Sequence, residues 1–143
     1  MDEEAPWEIK LTLRPGSVYY FVDRHLTSGE PHYFIVVNVQ PLEDQVLVLT
    51  VISSQVEKVE RRGANLPGTT VRISPADYEE LTKPSIVDGN FVVRKSLAEL
   101  VAKMRRKEIV PKRDLSGNIL HAIQQAILAS PLVEEEVKRL LRK

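Results

Sequence analysis

Six polar side chains that can carry acid–base or hydrogen-bonding chemistry occur in two short stretches of the chain. Three begin the polar run from Asp23 to Glu30, and three stand at the ends of two apolar runs: Asp23, Arg24 and His25, then His32, Ser53 and Ser54. A histidine can accept or donate a proton near neutral pH, and a serine hydroxyl can donate a hydrogen bond. The plainer interpretation is that His25 is a solvated loop residue, that His32 pairs with backbone at a strand end, and that the serines end a strand.

Several classes of site have no support in the sequence. There is no cysteine, which excludes thiolate metal sites, disulfide frameworks and a cysteine nucleophile. We find no H-x-x-x-H or H-E-x-x-H pattern and no grouped carboxylates, so we expect no metal site. We also find no G-x-G-x-x-G, Walker or G-x-S-x-G pattern, so we expect no cofactor and no acyl-transfer chemistry.

Charge is balanced over the whole chain but unevenly distributed. The 20 Lys and Arg residues match the 20 Asp and Glu residues, so there is no global attraction to nucleic acid. The stretch 94–113 is nevertheless basic, with Arg94, Lys95, Lys103, Arg105, Arg106, Lys107, Lys112 and Arg113 against Glu99 and Glu108. Our candidates for contacts to a polyanion backbone are Arg61, Arg62, Arg94 and Lys95. The alternative is a solvated helix face whose cations lie favourably at the helix C-terminus.

Two apolar runs in the middle of the sequence predict the element that positions these side chains. The runs Tyr33–Val39 and Val46–Ile52 are rich in Val, Ile and Leu, and the polar segment Gln40–Gln45 joins them. Their length suits strands better than helices. Because the runs are almost continuously apolar, we expect a β-hairpin that is covered on both faces. His32 would then stand at its entrance and Ser53 at its exit.

The segments around this hairpin predict further short strands and one short helix. Alternation over residues 9–13 predicts a half-exposed strand, and Pro15-Gly16 predicts a turn. Further predicted elements are strands over Ser17–Val22 and Thr69–Ile73, a loop over Asp23–Glu30, a polar segment over Gln55–Arg62 with residues 61–65 exposed, and a helix over Pro75–Leu81 that begins at a serine cap. Residues 85–93 predict two strand pieces hinged at Asp88-Gly89-Asn90, which we interpret most simply as a hairpin turn.

Three helices are predicted after residue 95. Ser96 with Glu99 forms a capping box, and apolar residues at helical spacing carry that helix to about Lys107. Asp114 or Ser116 caps the next helix, where His121 is a partly buried surface residue, and Ser130-Pro131 separates it from the last.

Strands segregated from helices predict an α+β fold with a strongly bent sheet that closes into a small barrel. We expect a single domain over 1–143, with the barrel in 9–95 and the C-terminal helices in 96–143. No apolar run approaches a membrane span, and the acidic start does not resemble a secretory signal, so we expect a soluble cytoplasmic protein with no membrane partner.

Several motifs together resemble the PemK/MazF class of bacterial toxins. Leu13-Arg14-Pro15-Gly16-Ser17-Val18-Tyr19 is similar to the opening "x-P-G-D-V-x" strand of that family, and Pro31-His32-Tyr33-Phe34-Ile35-Val36-Val37 is similar to its "R-P-x-x-V-V" strand. Val46–Ser54 is similar to the family strand that ends in Thr-Ser, and Lys83–Asn90 looks like "K-P-S-I-V-D-x-N" of a divergent branch. The resemblance covers roughly residues 11–95.

This resemblance implies an SH3-like barrel, usually a homodimer, that cleaves single-stranded RNA without a metal and is inhibited by a small antitoxin protein. By position, His32 stands where the family has an arginine, and Ser53 stands where it has a catalytic threonine. For an active enzyme we expect His32 and Ser53 to be catalytic, assisted by Arg24 or His25.

The RNA-binding candidates for such a protein are Arg61, Arg62, Arg94 and Lys95, and tyrosines 19, 20 or 33 could stack on bases. In a barrel of this size those tyrosines are equally suited to the core or to an interface. The alternative function is a non-catalytic module that uses the same barrel to bind a peptide or nucleic acid.

Overall fold

The structure is a computed structural model that describes residues 7–24 and 29–142, apart from the side chain of Glu8. This part of the chain combines an antiparallel sheet with helices, which confirms the predicted α+β class, although the helices and strands are interleaved and not segregated as predicted. The helices are α1 Trp7–Thr12, α2 Pro41–Asp44, α3 Val56–Arg62, α4 Leu97–Arg105, α5 Gly117–Ala129 and α6 Glu135–Arg142. The strands are β1 Val18–Phe21, β2 His32–Val36, β3 Val46–Ser53, β4 Thr70–Ile73, β5 Ser85–Asp88, β6 Val93–Ser96 and β7 Val110–Lys112.

All seven strands belong to one antiparallel sheet, with β3 at its centre. The strand order is β4-β5-β3-β2-β1-β7, and β6 also pairs with β3. In the β2–β3 pair Tyr33 stands opposite Ile52, so the predicted central hairpin is confirmed. The connection between the two strands contains the short helix α2. Gln45 caps the C-terminus of that helix in the left-handed region, with φ 58°.

Strands β5 and β6 lie one after the other along the same edge of β3. Ile52 pairs with Val87 and Leu49 pairs with Val93, so residues 88–92 lie opposite only two residues of β3. The prediction of two strand pieces with a hinge between them is confirmed. The interpretation of the hinge as a hairpin turn is wrong, because both pieces run antiparallel to the same strand. The intervening residues form a bulge, in which five residues lie opposite two.

Each face of the sheet packs on its own apolar cluster, because alternate strand residues point to opposite faces. The first cluster, core A, joins the sheet to α5 and α6 through Val18, Ile35, Ile52, Val87, Ile123, Ile127, Val137 and Leu141. The second, core B, joins the other face to α1 and α4 through Ile9, Tyr19, Phe21, Phe34, Leu47, Leu49, Leu97 and Leu100. Coverage of both faces explains why the strands of the central hairpin are almost continuously apolar.

The predicted starts of two C-terminal helices are confirmed by their caps. The Ser96 hydroxyl accepts a hydrogen bond from the Glu99 backbone N–H at 3.0 Å at the start of α4. The Ser116 hydroxyl accepts one from the Ile119 backbone N–H at 3.4 Å at the start of α5. These bonds use amide groups that the first turn of a helix leaves unpaired.

Residues 9–12 belong to α1 and do not form the predicted half-exposed strand, and Leu13 directly follows the helix. In a strand Ile9, Leu11 and Leu13 would all lie on one face, yet Leu11 is 63% exposed while the other two are buried in core B. A helix brings residues four positions apart to the same face, and this spacing matches the two buried residues. Tertiary packing on core B therefore determines the element.

One other local prediction also differs from the structure. The helix expected over Pro75–Leu81 is absent: Ser74 and Asp77 form a turn, in which the Asp77 carboxylate accepts a hydrogen bond from the Ser74 backbone N–H at 2.9 Å. That bond, together with the Ser74 hydroxyl, lowers the pKa of Asp77. Two elements were not predicted at all: α3 forms within the polar segment 55–62, and β7 follows α4.

Closure of the sheet into a barrel is not confirmed. Within the described residues the end strands β4 and β7 do not pair with each other. Strand β7 comes from the part of the chain predicted to be helical, so the sheet extends beyond the range 9–95. No helix in residues 7–24 and 29–142 has the length and apolar character to cross a membrane.

Candidate functional site

A polar cavity of about 450 Å³ lies at the end of the sheet where β2 begins and β3 ends. Its walls are residues 30–33, residues 52–55 and residues 80–83, with Tyr20 and Ser85 completing the lining. The first two segments are the entrance and exit of the central hairpin, and the third belongs to the connection between β4 and β5. Side chains from both faces of the sheet reach the cavity because it lies at the strand ends.

His32 and Ser53, the two main catalytic candidates, both line this cavity. The β2–β3 register pairs Tyr33 with Ile52, and one further step places His32 opposite Ser53. Directly opposite residues of an antiparallel pair share a face of the sheet, with their Cβ atoms about 5 Å apart. Ser54 lines the same cavity, so the two ends of the hairpin bring His32, Ser53 and Ser54 to one cavity.

The plainer interpretation of Ser53 also has a structural basis. Its hydroxyl accepts a hydrogen bond from the backbone N–H of Gln55 at 3.1 Å, which helps to end β3 before α3 begins. The hydroxyl hydrogen is not used in that bond. Ser53 can therefore stabilise the strand end and still donate to a group in the cavity.

Aromatic side chains surround the imidazole of His32. In the β1–β2 ladder His32 stands opposite Phe21, and its ring makes an edge contact with the Phe34 ring at a centroid distance of 6.5 Å. The Nδ1 atom of His32 is buried and has no hydrogen-bond partner among the described residues. A buried ring nitrogen without a partner carries a free-energy cost, so this position is unfavourable unless another group pairs with it.

Two tyrosines form a second aromatic surface in the cavity. The rings of Tyr20 and Tyr33 are 4.6 Å apart between centroids and tilted by 44°. Both side chains are half-buried, with part of each facing solvent. The parts of these rings that remain exposed are surfaces on which a planar base can stack.

Residues 80–83 are tied to the sheet by polar contacts on both sides. The Tyr33 hydroxyl donates to the Glu80 backbone carbonyl at 3.2 Å, and the Tyr78 hydroxyl donates to the Arg113 carbonyl at 2.6 Å. Burial raises the pKa of Tyr78, so this phenol stays neutral and keeps its hydrogen bond at neutral pH. These contacts hold the 80–83 wall against the strands even though it has no regular secondary structure.

The charged groups of the cavity are mixed in sign. Glu30 and Glu80 contribute carboxylates, and Lys83 contributes an ammonium group. The Glu80 carboxylate also lies 3.5 Å from the ammonium of Lys112, which does not line the cavity. No group of three or more His, Asp or Glu residues within the described ranges is placed to hold a metal ion.

The loop candidates are not seen in this cavity. Arg24 is exposed and is not among the residues that line it. The pKa of Glu108 is lowered mainly by its hydrogen bond with Arg106, and to a smaller degree by charges that include Lys103 and Arg24. His25 lies outside the described residues.

The four basic candidates have different environments. Lys95 is 5% exposed and its ammonium pairs with Asp23 at 3.2 Å, so a surface contact between Lys95 and a polyanion is not supported. Arg94 is exposed but lies between two glutamates at 3.8 and 3.9 Å. Arg62 pairs with Asp88 at 3.2 Å, and Arg61 is exposed on the same helix, α3. None of the four lines the cavity.

Sequence reasoning missed Glu80 and Lys83, which line the cavity from the connection between β4 and β5. Both lie at or near the end of the helix predicted over Pro75–Leu81, and no motif marks them. Their distance along the chain from His32 means that only the tertiary path of residues 74–84 brings them to the site.

Comparison of the chain with protein-family models and with curated protein sequences found no match.

Proposed function

We propose that this chain binds single-stranded RNA in the cavity beside His32 and cleaves it without a metal ion, as a toxin-like protein of the PemK/MazF type. The observation that carries the proposal is that β2 and β3 deliver His32 and Ser53 to one cavity. Either residue alone has a plain structural explanation. Their convergence beside two half-buried tyrosines supports the proposal.

The proposed reaction uses the 2′-hydroxyl of the RNA as nucleophile. The His32 imidazole takes the 2′-hydroxyl proton while the 2′-oxygen attacks phosphorus. The bond from phosphorus to the 5′-oxygen breaks, and the imidazolium returns a proton to that leaving oxygen. Ser53 and Ser54 donate hydrogen bonds to the phosphate oxygens, and Lys83 offsets their negative charge. The products are a 2′,3′-cyclic phosphate and a 5′-hydroxyl.

The aromatic wall of the cavity accounts for a single-stranded substrate. A base stacks on an aromatic ring only when it is free of its own duplex, and such stacking contributes about 1–3 kcal/mol per base. Tyr20 and Tyr33 present adjacent rings at the cavity wall. We assign base stacking to these two residues and phosphate contacts to the serines and Lys83.

A non-catalytic module is the second candidate, and the charge of the cavity favours it. The pentavalent phosphate of the cleavage reaction needs concentrated positive charge, yet the lining has two carboxylates and one ammonium. Arg24, the cation expected to assist, does not line the cavity. On this alternative the same cavity holds RNA or a peptide without chemistry.

The finer features of the toxin assignment are part of the proposal and rest on the sequence motifs around residues 13–19 and 31–37. They are an SH3-like barrel arrangement of the sheet, a homodimer, an antitoxin protein as inhibitor and a cytoplasmic location. The open strand order supports at most a barrel that is closed by packing rather than by strand pairing.

A cleavage assay separates the candidates. End-labelled single-stranded RNA is incubated with purified protein in EDTA, using wild type, His32→Ala, Ser53→Ala and the control His121→Ala, which changes an exposed histidine of α5. We expect cleavage by wild type and His121→Ala, with losses of at least about a hundredfold in the other two. RNA retained on a filter without cleavage supports the non-catalytic module. A wild-type protein that neither cleaves the RNA nor retains it on the filter would contradict the proposal.

A further inference from the structure

We infer that Lys112 is a positioning residue for the cavity: it holds the Glu80 carboxylate in an ion pair and so makes the cavity compatible with a polyanion. This inference rests on the proposed function because it concerns the same cavity. It assigns a role to a residue that does not line the site and that no sequence motif marks.

The geometry places Lys112 behind two cavity-lining side chains. From β7, its Nζ atom lies 3.5 Å from a carboxylate oxygen of Glu80 and 5.4 Å from the centroid of the Tyr20 ring. The side chains of Lys112 and Glu80 are 28% and 25% exposed, so the pair is partly shielded from water. A partly desolvated ion pair is screened less by salt than one on an open surface.

Lys112 also completes a closed ring of contacts around the cavity wall. The Tyr20 and Tyr33 rings pack together at 4.6 Å, and the Tyr33 hydroxyl donates to the Glu80 backbone carbonyl at 3.2 Å. The ion pair and the cation–π contact of Lys112 then connect Glu80 back to Tyr20. The ring joins β7, β1, β2 and the 80–83 wall, and it keeps the Glu80 carboxylate on the side of the cavity that faces β7.

An unpaired carboxylate at this position would oppose RNA binding. Like charges a few ångströms apart in a partly buried site repel much more strongly than in bulk water. Neutralisation of Glu80 by Lys112 removes that repulsion without any contact between Lys112 and RNA. A lysine that contacts phosphate directly would behave differently, because its removal could not be compensated at Glu80.

The test is a set of RNA-binding measurements on Lys112→Met, Glu80→Gln and the double variant. The methionine keeps the stem of the side chain over Tyr20 but removes its charge. Arg113→Met is the matched control, since Arg113 is the neighbouring cation and pairs with Glu79 at 2.7 Å, and neither of those residues lines the cavity. Dissociation constants for a fluorescent single-stranded RNA are measured at low salt in EDTA, with urea unfolding of each variant as a check on folding.

We expect Lys112→Met to weaken binding roughly three- to tenfold and Arg113→Met to weaken it about twofold or less. Adding Glu80→Gln to Lys112→Met should restore binding to within about twofold of wild type, and Lys112→Arg should bind within about twofold of wild type. The restoration also shows that any loss in Lys112→Met is not a loss of fold.

If the wild type binds RNA, two results would overturn this inference alone. In one, the double variant binds RNA as weakly as Lys112→Met; in the other, Arg113→Met binds RNA as weakly as Lys112→Met. The first would mean that Lys112 contacts RNA itself, and the second that only the total charge matters. A wild type that binds no RNA would overturn both the inference and the proposed function.

Discussion

Lys95 is a buried cation whose charge serves the fold. Its Nζ atom lies 3.2 Å from a carboxylate oxygen of Asp23 and 3.8 Å from one of Glu99, and the side chains of Lys95 and Asp23 are 5% and 2% exposed. Its neighbour Arg94 is 45% exposed, yet the two look equivalent in the basic stretch of the sequence. Because a charge inside a protein must be paired, Lys95 joins β6 to the chain that follows β1.

Removing this cation should destabilise the fold. Lys95→Met removes the buried ion pair between Lys95 and Asp23, and we expect the free energy of unfolding to fall by about 3 kcal/mol. The measurement is urea unfolding at neutral pH. The control, Lys58→Met on the exposed surface of α3, should lie within about 0.5 kcal/mol of wild type. Equal stabilities of the two variants would show that the pair has no structural role.

At the scale of elements, the bulge between β5 and β6 is fixed by contacts with the chain on both sides of it. The backbone N–H of Gly89 donates to the Thr69 carbonyl at 2.7 Å. The Asn90 side chain donates to the Thr69 hydroxyl at 2.8 Å and accepts from the Ser130 hydroxyl at 2.6 Å. These bonds lock the bulge between the residue before β4 and the end of α5.

The bulge packs so closely on α5 that residue 89 has no room for a side chain. A Cβ atom there would lie 2.7 Å from the Thr69 carbonyl oxygen, 2.9 Å from the Ala126 carbonyl carbon and 3.0 Å from the Ile127 nitrogen. All three are backbone atoms, so relief requires movement of whole elements. We therefore expect Gly89→Ala to lower the free energy of unfolding by about 2 kcal/mol.

Gly117→Ala is the control for this prediction, because a Cβ atom at residue 117 would meet nothing within 4 Å. Its stability should lie within about 0.5 kcal/mol of wild type or slightly above it, since alanine favours a helix more than glycine does. Thermal or urea unfolding of the two variants makes the comparison. A Gly89→Ala variant as stable as Gly117→Ala would mean that α5 does not lie against the bulge as described.

The elements that could be predicted from sequence are those with strong local signals. The central hairpin has two long apolar runs, and α4 and α5 have serine caps whose hydrogen bonds are present. Elements that depend on distant contacts were missed. Strand β7 exists because it pairs with β1, and the turn after Ser74 does not extend into a helix because Tyr78 is buried and bonded to Arg113.

The same distinction applies to the candidate site. His32 and Ser53 could be placed together because one hairpin register relates them, and the cavity contains both. Glu80 and Lys83 could not, because no local pattern shows that the 80–83 segment returns to the entrance of β2. The burial of Lys95 could not be predicted, because a charged residue in a basic run carries no sign of its burial.

At the scale of the whole molecule, the sheet separates two apolar cores and leaves its strand ends for polar groups. Cores A and B cover the two faces, so neither face is open to a ligand over its centre. The cavity lies beyond the cores, where β2 begins and β3 ends. The hairpin can therefore hold His32 and Ser53 in place, while polar contacts from Tyr33 and Tyr78 hold the 80–83 wall.

The central claim is that RNA binds at the cavity that contains His32, and the imidazole signals of the histidines test it most directly. A ¹⁵N-labelled sample is titrated with single-stranded RNA, and His32→Ala assigns the His32 signal. We predict that the His32 signal shifts with added RNA while that of His121, exposed on α5 and outside the cavity, stays in place. An unchanged His32 signal at RNA concentrations that saturate binding would contradict the claim.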